Sequence, residues 1–284
     1  MPCASWSSLS SSAKVLAKAK NVILNQIVES TRKSLAQQKS QTPLAVIKKA
    51  IGYQDPPRDF ANALKGDSIS LIAEVKRASP SKGWLCPNLA ASSLARIYSQ
   101  SGAAAISVLT EPDYFWGSFA DLEAARTEVK LPLLCKDFIV DRYQIYKARA
   151  HGADAVVLIA AILTRYELRI LLETAHSLDM TALIEVHNRD ELAKALKLAP
   201  RIIGINNRNL ADFSVDLETT VSLRPLIPPE VVVVSESGIH TRDDVLSMQK
   251  AGVDAILVGE ALVTSPKPAA KINELLGNVR QSTG

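Results

Sequence analysis

Cysteine is scarce in this chain of 284 residues, and the three cysteines lie far apart. Cys3, Cys86 and Cys135 form no Cys-x-x-Cys pair, and no cluster of histidines accompanies them. This spacing supports neither a disulfide framework nor a structural zinc site. We therefore expect no metal centre, and we expect a reducing compartment, where unpaired cysteines are the rule.

Long hydrophobic runs and aromatic residues are scarce as well. The longest apolar stretch, 153–163, is interrupted by Asp154 and is too short to cross a bilayer. Aromatic residues make up 5% of the chain, whereas hydrophobic residues as a whole make up 47%. This composition predicts a globular protein with an aliphatic core and gives no sign of a membrane partner.

Neither sign of charge dominates, because the net charge is only +4 and the lysines and arginines are scattered. The pattern does not indicate a nucleic-acid partner, and it suits a small phosphorylated or carboxylated molecule. The first 28 residues contain no acid and no arginine. We interpret them as a basic tail and predict a cytoplasmic protein. A targeting segment, which would place the protein in an organelle stroma, stays the alternative.

From residue 70 onward, an apolar β-rich run alternates eight times with an amphipathic helical stretch. The predicted strands are 71–76, 106–110, 131–138, 155–162, 181–186, 202–207, 231–237 and 255–258. The predicted helices begin near residues 89, 118, 141, 165, 188, 216, 241 and 265. Such alternation predicts parallel strands with crossover helices, and eight units favour a closed (βα)8 TIM barrel. The glycine-rich fingerprint of an open dinucleotide-binding sheet is missing after the first strand.

The segment before the first strand predicts an N-terminal extension. We expect a disordered tail over 1–12, a helical extension over 13–66 and a catalytic barrel over 67–278, with the extension and the barrel forming one structural unit. Within the extension, helices are predicted over 14–38 and 43–50, followed by a turn at 52–58.

Five of the apolar runs end in charged or amide residues. An unpaired charge in a buried strand costs on the order of several kcal/mol, so this repetition needs an explanation. In a barrel, the carboxyl ends of all strands meet at one opening, where the active site lies. We therefore expect the polar ends of 71–76, 131–138, 181–187, 202–208 and 231–237 to converge on one pocket for an anionic substrate.

Several of these side chains fall on one face of their strand. Glu74 and Lys76 are two residues apart, so both are expected to point toward the barrel axis, where they can pair. Lys136 ends the third strand and could act as a general acid or as a Schiff-base nucleophile. A lysine that extends to solvent, or a structural ion pair, is the alternative interpretation. Cys135 is expected on the opposite face as a packed small hydrophobe.

Polar residues also end the later strands. Glu185 ends the fifth strand, while Asn206 and Arg208 end the sixth at a spacing of two. Arginine offers a planar fork for a carboxylate, and asparagine can donate to a hydroxyl. His187 is left out of the predicted site, since a lone loop histidine is more often a local hydrogen-bonding residue.

The last two strands end in residues suited to phosphate. Loops after the seventh and eighth strands commonly hold phosphate in this architecture, at backbone amides and a helix start. The expected phosphate end consists of Ser237, Gly238, Gly259 and Glu260, with Glu236 beside it. Glu260 can help only through its backbone amide, because its carboxylate would repel phosphate.

With these motifs in place, the chain resembles the indole-3-glycerol phosphate synthase family over about residues 20–278. The matching phrases are LIAEVKRASPSKG (71–83), AAAISVLT (103–110), LLCKDFIVD (133–141), IEVH (184–187), GINNRNL (204–210), SESGI (235–239) and VGEAL (258–262). The resemblance implies a (βα)8 barrel with a helical segment over its mouth. It also implies closure of the indole ring of 1-(2-carboxyphenylamino)-1-deoxyribulose 5-phosphate, with release of carbon dioxide and water and without a cofactor.

The resemblance also implies roles for the site residues. Lys136 resembles the general acid for the ribulose carbonyl, and Glu74 and Glu185 resemble the acid/base carboxylates. Lys76 would assist dehydration and reach the phosphate. Asn206 completes the implied catalytic set and, with Arg208, matches positions that hold the substrate hydroxyls and carboxylate. The implied substrate-binding residues are Ser79, Phe115, Phe138, Arg208, Glu236 and Ser237.

Two positions depart from the family pattern, and two other functions stay open. Trp84 and Trp116 stand where smaller or polar residues are usual, which bears on loop closure and ring packing. A sister barrel, such as a phosphoribosylanthranilate isomerase, would turn over without releasing carbon dioxide. A barrel that only binds a sugar phosphate would be expected to lose Lys136 or a carboxylate. A monomer, and association with other tryptophan-pathway enzymes, are both compatible with the sequence.

Overall fold

A computed structural model describes residues 22–210 and 212–278 of the chain. Ten strands occur in this part: β1 (Ser70–Val75), β2 (Ala78–Ser79), β3 (Gly83–Trp84), β4 (Ala105–Leu109), β5 (Leu133–Lys136), β6 (Ala155–Ile159), β7 (Thr181–Val186), β8 (Ile202–Asn206), β9 (Val232–Glu236) and β10 (Ala255–Val258). Eight of them are parallel and close in the order β1-β10-β9-β8-β7-β6-β5-β4. The predicted (βα)8 TIM barrel is therefore confirmed. Some predicted strands extended one to three residues too far.

Helices precede the barrel and connect its strands. Their bounds are α1 (Val22–Gln41), α2 (Leu44–Ile51), α3 (Phe60–Ala63), α4 (Ala91–Gln100), α5 (Phe119–Glu128), α6 (Arg142–Ala150), α7 (Arg165–His176), α8 (Arg189–Leu196), α9 (Glu218–Leu223), α10 (Arg242–Lys250), α11 (Glu260–Val263) and α12 (Pro268–Leu276). Side chains cap several of them, as Asp141, Thr164 and Thr241 do in capping boxes. The helix predicted near residue 265 is replaced by the two helices α11 and α12. Within 22–210 and 212–278, each helix is too short or too polar to cross a membrane.

Successive side chains along a strand point alternately to its two faces, and they therefore belong to two separate hydrophobic cores. Leu71, Ala73 and Val75 of β1 pack outward against the helices, in one large cluster. Ile72 packs inward, in the smaller cluster inside the barrel. The even positions of β1 therefore face the axis, which places Glu74 on the inside as expected. Cys135 lies in the outer cluster and is 1% exposed, as predicted for a packed small residue.

The amino-terminal end of the barrel is closed by α3. Phe60 and Leu64, both fully buried, belong to the inner cluster together with Ile72, Ala105 and Ala255. Asp59 caps the short helix by accepting a hydrogen bond from the Asn62 amide at 3.1 Å. Because this end is filled with apolar side chains, the barrel interior opens only toward the carboxyl ends of the strands.

The extension contacts the barrel through an apolar cluster of Leu35, Ile47 and Tyr143 and through polar side chains. Lys39 of α1 pairs with Asp141 at 2.7 Å, and Lys147 donates to the side chain of Gln38 at 2.8 Å. The Tyr143 hydroxyl lies 3.1 Å from the Gln38 carbonyl. Helices were predicted here over 14–38 and 43–50; residues 14–21 and the tail 1–12 lie outside the described residues. The division into tail, extension and barrel stays a prediction.

Asp154 lies at the joint between α6 and β6 and connects distant parts of the chain. Its carboxylate accepts hydrogen bonds from the backbone amides of Leu133 at 2.7 Å and Arg58 at 2.9 Å, and it pairs with the Arg126 guanidinium. The side chain is 4% exposed. Asp154 therefore joins the extension to two barrel strands. These contacts were not predicted, because all three partners are distant along the chain.

We expect Asp154→Asn to destabilise the protein by about 3 kcal/mol, because breaking a buried ion pair leaves the arginine without its counter-charge. Chemical denaturation would measure the loss. Asp254→Asn is the matched control: Asp254 occupies the equivalent joint and accepts from the Val233 amide at 2.7 Å, but no cation among the described residues pairs with it. The control should lose about 1 kcal/mol or less. Equal losses in both variants would contradict the role given to the Arg126 pair.

Candidate active site

A cavity of about 150 Å³ opens at the carboxyl ends of the barrel strands. Every residue predicted for the site lines this one cavity: Glu74, Lys76, Ser79, Phe115, Lys136, Phe138, Glu185, Asn206, Arg208, Glu236, Ser237, Gly238, Gly259 and Glu260. These residues come from seven different strand ends or the loops after them. The convergence predicted from the polar strand ends is therefore present in the structure, while the role of each residue stays a prediction.

The centre of the cavity is an ammonium group between two carboxylates. Lys136 Nζ donates to Glu185 Oε2 at 2.5 Å and lies 3.3 Å from Glu236 Oε2. The two glutamates are 3% and 2% exposed, whereas the lysine is 14% exposed and reaches the cavity. Burial alone would lower the pKa of Lys136, but the carboxylates of Glu185, Glu236 and Glu74 outweigh it and raise that pKa. The lysine is therefore a cation at neutral pH.

Glu185 and Glu236 differ in protonation, although both contact the same lysine. Burial opposes the charge of Glu185, but Lys136 and His187 outweigh burial and lower its pKa. Glu236 has no such surplus of cations. Its burial, together with the nearby Glu185 and Glu74, raises its pKa to about 7. The site therefore holds one carboxylate that stays ionised and one that can carry a proton near neutral pH.

Glu74 and Lys76 pair with each other, as their spacing predicted. Lys76 Nζ lies 2.8 Å from Glu74 Oε1, and both side chains are mostly buried. Gly259 makes room for them, because a Cβ atom there would come within 2.4 Å of the Glu74 carboxylate. Gly204 does the same for Glu236, whose carboxylate oxygen would lie 2.1 Å from an added Cβ. Both glycines are needed for close approach of a charged group.

Asn206 joins the central group to the next loop. Its amide donates to Glu185 Oε1 at 3.0 Å, and its carbonyl oxygen accepts from the Arg208 backbone amide at 3.0 Å. The neighbouring Asn207 turns away from the cavity and bonds Ser235 and Thr220. The Arg208 guanidinium donates to the Phe213 carbonyl at 3.2 Å and borders the cavity.

The loops after β9 and β10 form a narrow polar end of the cavity. Ser237 and Gly238 both have left-handed backbones, with φ of 68° and 82°. A side chain at Gly238 would also meet Val215 at 2.5 Å. Gly259 precedes α11, whose first residue, Glu260, lies 3.5 Å from Lys82 through its carboxylate. The Lys82 contact was not foreseen from the sequence, and it offsets the negative charge of Glu260.

Aromatic and aliphatic side chains form the opposite wall. The rings of Phe115 and Phe138 lie 6.0 Å apart at 35°. The Glu111 carboxylate fixes the loop before Phe115 by accepting from the backbone amides of Tyr114 and Phe115 at 2.8 and 3.0 Å. Beside this wall, the buried Ser79 hydroxyl has no hydrogen-bond partner among the described residues. That hydroxyl is available to a ligand.

The cavity wall also includes apolar residues that sequence reasoning missed. Ile23, Leu24 and Ile27 reach it from α1, and Ile159 reaches it from β6. The apolar spacing of α1 predicted a buried helix face, yet nothing in that spacing shows that the face covers the barrel mouth. No three His, Cys, Asp or Glu side chains in 22–210 and 212–278 are arranged to hold a metal ion.

A comparison with protein-family models decides the family. The model described as "Indole-3-glycerol phosphate synthase" matches residues 24–275. The chain belongs to the indole-3-glycerol phosphate synthase family. The resemblance found in the sequence motifs is thereby confirmed.

Individual relatives agree with this family over nearly the whole chain. Proteins named indole-3-glycerol phosphate synthase from Dehalococcoides mccartyi and Roseiflexus castenholzii are 50% and 48% identical. Their matches cover 90% and 91% of this chain and 100% of each relative. Among solved structures, a mutant tryptophan synthase alpha-subunit of Pyrococcus furiosus matches with a TM-score of 0.55 at 18% identity, over 73% of this chain and 98% of that one. That likeness shows the barrel fold alone.

The two tryptophans that depart from the family pattern contact each other. The rings of Trp84 and Trp116 lie 4.8 Å apart at 33°, and each residue is about half exposed. Trp84 belongs to the small antiparallel hairpin of β2 and β3, which was not predicted. The pair therefore joins the loop after β1, which includes Ser79, to the loop after β4, which includes Phe115.

His187, left out of the predicted site, lies directly behind Glu185. Its Nε2 atom is 3.2 Å from Glu185 Oε1, and its Nδ1 atom is 3.0 Å from Glu191 Oε2. The ring does not line the cavity. The available signal was Glu191 in the first turn of the helix that follows His187, because an acid there can accept from the residues just before the helix.

We expect Glu236→Gln to change how thermal stability depends on pH. The pKa of Glu236 is raised to about 7 in the folded protein. The contribution of protonated Glu236 to the free energy of unfolding is therefore fully present below its ordinary pKa of about 4.3. This contribution is lost as the pH rises through about 7. The variant lacks this titration. Its Tm relative to the wild type should thus rise between about pH 5 and about pH 8.5, as calorimetry would measure.

Glu230→Gln is the control for that experiment, because Glu230 is exposed and lies outside the cavity. Its Tm, measured at the same pH values, corrects for the general effect of removing a carboxylate. A Tm difference that stays constant with pH for the Glu236 variant would contradict the raised pKa.

Proposed function

We propose that this protein is a carboxy-lyase that converts 1-(2-carboxyphenylamino)-1-deoxyribulose 5-phosphate to indole-3-glycerol phosphate in tryptophan biosynthesis. The observation that supports this best is the Lys136 ammonium, which faces the cavity between Glu185 and Glu236. Ring closure needs a proton donor at a ketone oxygen, and the later dehydration needs an acid and a base. The cluster contains both kinds of group. Family membership supports the same reaction.

The first step under this proposal joins the ring carbon that bears the carboxylate to the ribulose carbonyl carbon. As the new carbon–carbon bond forms, the carbonyl π bond breaks, and its oxygen takes a proton from Lys136. The ionised Glu185, at 2.5 Å, holds the lysine in place for this transfer. Phe115 and Phe138 border the cavity where the ring is proposed to lie. The Lys136 ammonium is a weak acid because carboxylates stabilise its charge. Proton transfer to the carbonyl oxygen therefore requires that this oxygen become negative as the new carbon–carbon bond forms.

The second and third steps restore aromaticity. The bond from the ring to its carboxylate breaks, carbon dioxide leaves, and the electron pair returns to the ring. Transfer of a carboxylate from water to an apolar wall favours this loss. The hydroxyl formed in the first step then leaves as water after it is protonated, while a carboxylate removes a proton from the substrate. Glu74, with Lys76 at 2.8 Å, and Glu185 are the proposed acid/base groups.

The phosphate is proposed to bind at the polar end of the cavity. The residues that line this end are Lys76, Ser237, Gly238, Gly259 and Glu260. The proposed contacts are the backbone amides of the two glycines and Glu260, the Ser237 hydroxyl and the Lys76 ammonium. Such a handle, remote from the reacting bonds, supplies binding energy that orients the substrate. Arg208 and Asn206 are proposed to bind the carboxylate and hydroxyl groups, and Ser79 to donate to the substrate.

We further propose that the protein acts in a reducing compartment, the cytoplasm. Cys86 and Cys135 are both free thiols in the structure. The alternative of an organelle stroma rests on residues outside the described part of the chain. The monomeric state and an association with other tryptophan-pathway enzymes stay predictions.

The purified protein should convert the anthranilate-linked ribulose phosphate to a fluorescent indole with release of one carbon dioxide per turnover. We expect Lys136→Met to lower kcat by about 10³-fold, because it removes the proton donor. Lys271→Met is a matched control: Lys271 also pairs with a glutamate, Glu274 at 2.7 Å, but lies outside the cavity.

The control variant should keep the kcat of the wild type. Wild-type turnover without carbon dioxide release would point to an isomerase and would overturn the proposal. Full activity of Lys136→Met would remove lysine as the acid.

A further inference from the structure

Glu185 is held from two sides. From the cavity side, Lys136 contacts Oε2 at 2.5 Å, and Asn206 contacts Oε1 at 3.0 Å. From behind, His187 lies 3.2 Å from Oε1. The proposed reaction uses the groups on the cavity side and gives no task to the histidine. A buried titratable ring at this place therefore needs its own explanation.

His187 is in turn fixed by Glu191 of α8. The Glu191 carboxylate accepts from the His187 backbone amide at 2.9 Å and contacts ring Nδ1 at 3.0 Å. The Asn188 side chain donates to the other carboxylate oxygen at 2.7 Å. The histidine side chain is 8% exposed and Glu191 is 15% exposed. Both ring nitrogens therefore lie beside carboxylates. Only the imidazolium form, which carries a proton on each nitrogen, is stabilised by both of these neighbours.

The contact with Glu185 is electrostatic more than directional. The Nε2 atom lies within ion-pair distance, yet its N–H bond is not aimed at the carboxylate oxygen, and the buried atom has no aligned hydrogen-bond partner among the described residues. A positive charge acts at such a distance without alignment, whereas a neutral donor would not. The geometry therefore favours a role that depends on the charge of the ring.

We propose that His187 and Glu191 are positioning residues that form a buried Glu191–His187–Glu185 relay, in which the imidazolium keeps Glu185 ionised as a base. The proposal rests on the proposed function, since it concerns a step of that reaction. Neither residue touches the cavity, so neither is expected to contact the substrate. Their effect reaches the chemistry only through Glu185.

The charges around the relay agree with this assignment. Burial alone would lower the pKa of His187, but its contacts with the carboxylates of Glu185 and Glu191 raise that pKa to about 9. The charged groups that face Glu185 are Lys136 from β5, Glu236 from β9 and His187 itself. Lys136 also lies 3.3 Å from Glu236, so its charge is shared between two carboxylates whenever Glu236 is ionised. The imidazolium is then the second cation beside Glu185.

The first test is a titration of the wild-type protein by NMR, with labelled histidine. The chain has four histidines, and the signal missing from His187→Gln identifies the one of interest. We expect that signal to titrate near pH 9. In Glu191→Gln and in Glu185→Gln, the same signal should titrate at lower pH, because each variant removes a carboxylate partner. A His187 signal that titrates at or below about pH 6.5 in the wild type would overturn the proposal.

The second test is the pH dependence of kcat. Loss of a neighbouring cation raises the pKa of a carboxylate, so the acid limb of the profile should move to higher pH by about one unit in His187→Gln. Glu191→Gln should leave the acid limb near its wild-type position, because His187 stays protonated at acid pH without Glu191. KM should change less than kcat in both, because neither residue contacts the substrate. His151→Gln is the matched control, since His151 pairs with Glu123 at 2.7 Å on the surface.

The outcomes separate this proposal from the proposed function. An active His187→Gln variant whose kcat profile follows the wild type would overturn the relay and leave the reaction intact. A wild type that makes no indole product would overturn the proposed function, and the relay with it as a part of that reaction. If His187→Gln does not fold, variants of the other three histidines identify the His187 signal by elimination, and its titration in the wild type and in Glu191→Gln decides the question.

Discussion

The ammonium of Lys136 between the carboxylates of Glu185 and Glu236 is the contact on which the rest of the structure depends. An unpaired carboxylate inside a barrel costs on the order of several kcal/mol. The three groups come from strands β5, β7 and β9, so only the closed barrel brings them together. The charges can pair only when the barrel is closed. The closed barrel is stable with these charges inside only because they are paired.

The inner positions hold more acid than base. Three glutamates, at 74, 185 and 236, face two lysines, Lys76 and Lys136. The surplus of one negative charge is expressed at Glu236, whose pKa of about 7 lets it take up a proton. Only glycine leaves space beside two of these acids, at Gly204 and Gly259. The residue types at the barrel mouth are therefore constrained both by charge pairing and by the space beside the charged side chains.

Local periodicity explains how much could be predicted from the sequence. A spacing of two on β-rich runs places Glu74 and Lys76 on one face, and eight runs imply closure, so the barrel and its polar opening follow from the sequence. The Arg126 contact of Asp154 and the approach of α1 to the cavity join segments far apart in the chain, and no local pattern encodes them. His187 was missed for another reason: its partners lie at spacings of two and four, across the end of a strand and the start of a helix.

The same charge balance bears on the substrate. The proposed substrate brings a carboxylate and a phosphate to a cluster that already has a surplus negative charge. Lys76 is engaged with Glu74, and Lys82 is 3.5 Å from Glu260, so each cation must be shared when the phosphate binds. Under the proposed function, Arg208 orients the substrate carboxylate beside an apolar wall and acidic neighbours, where the carboxylate is less stable than in water. Its departure as neutral carbon dioxide would relieve that conflict, whereas the phosphate, proposed to bind at backbone amides, would stay bound. A site with a negative surplus is thus better suited to a decarboxylation than a site with matched charges.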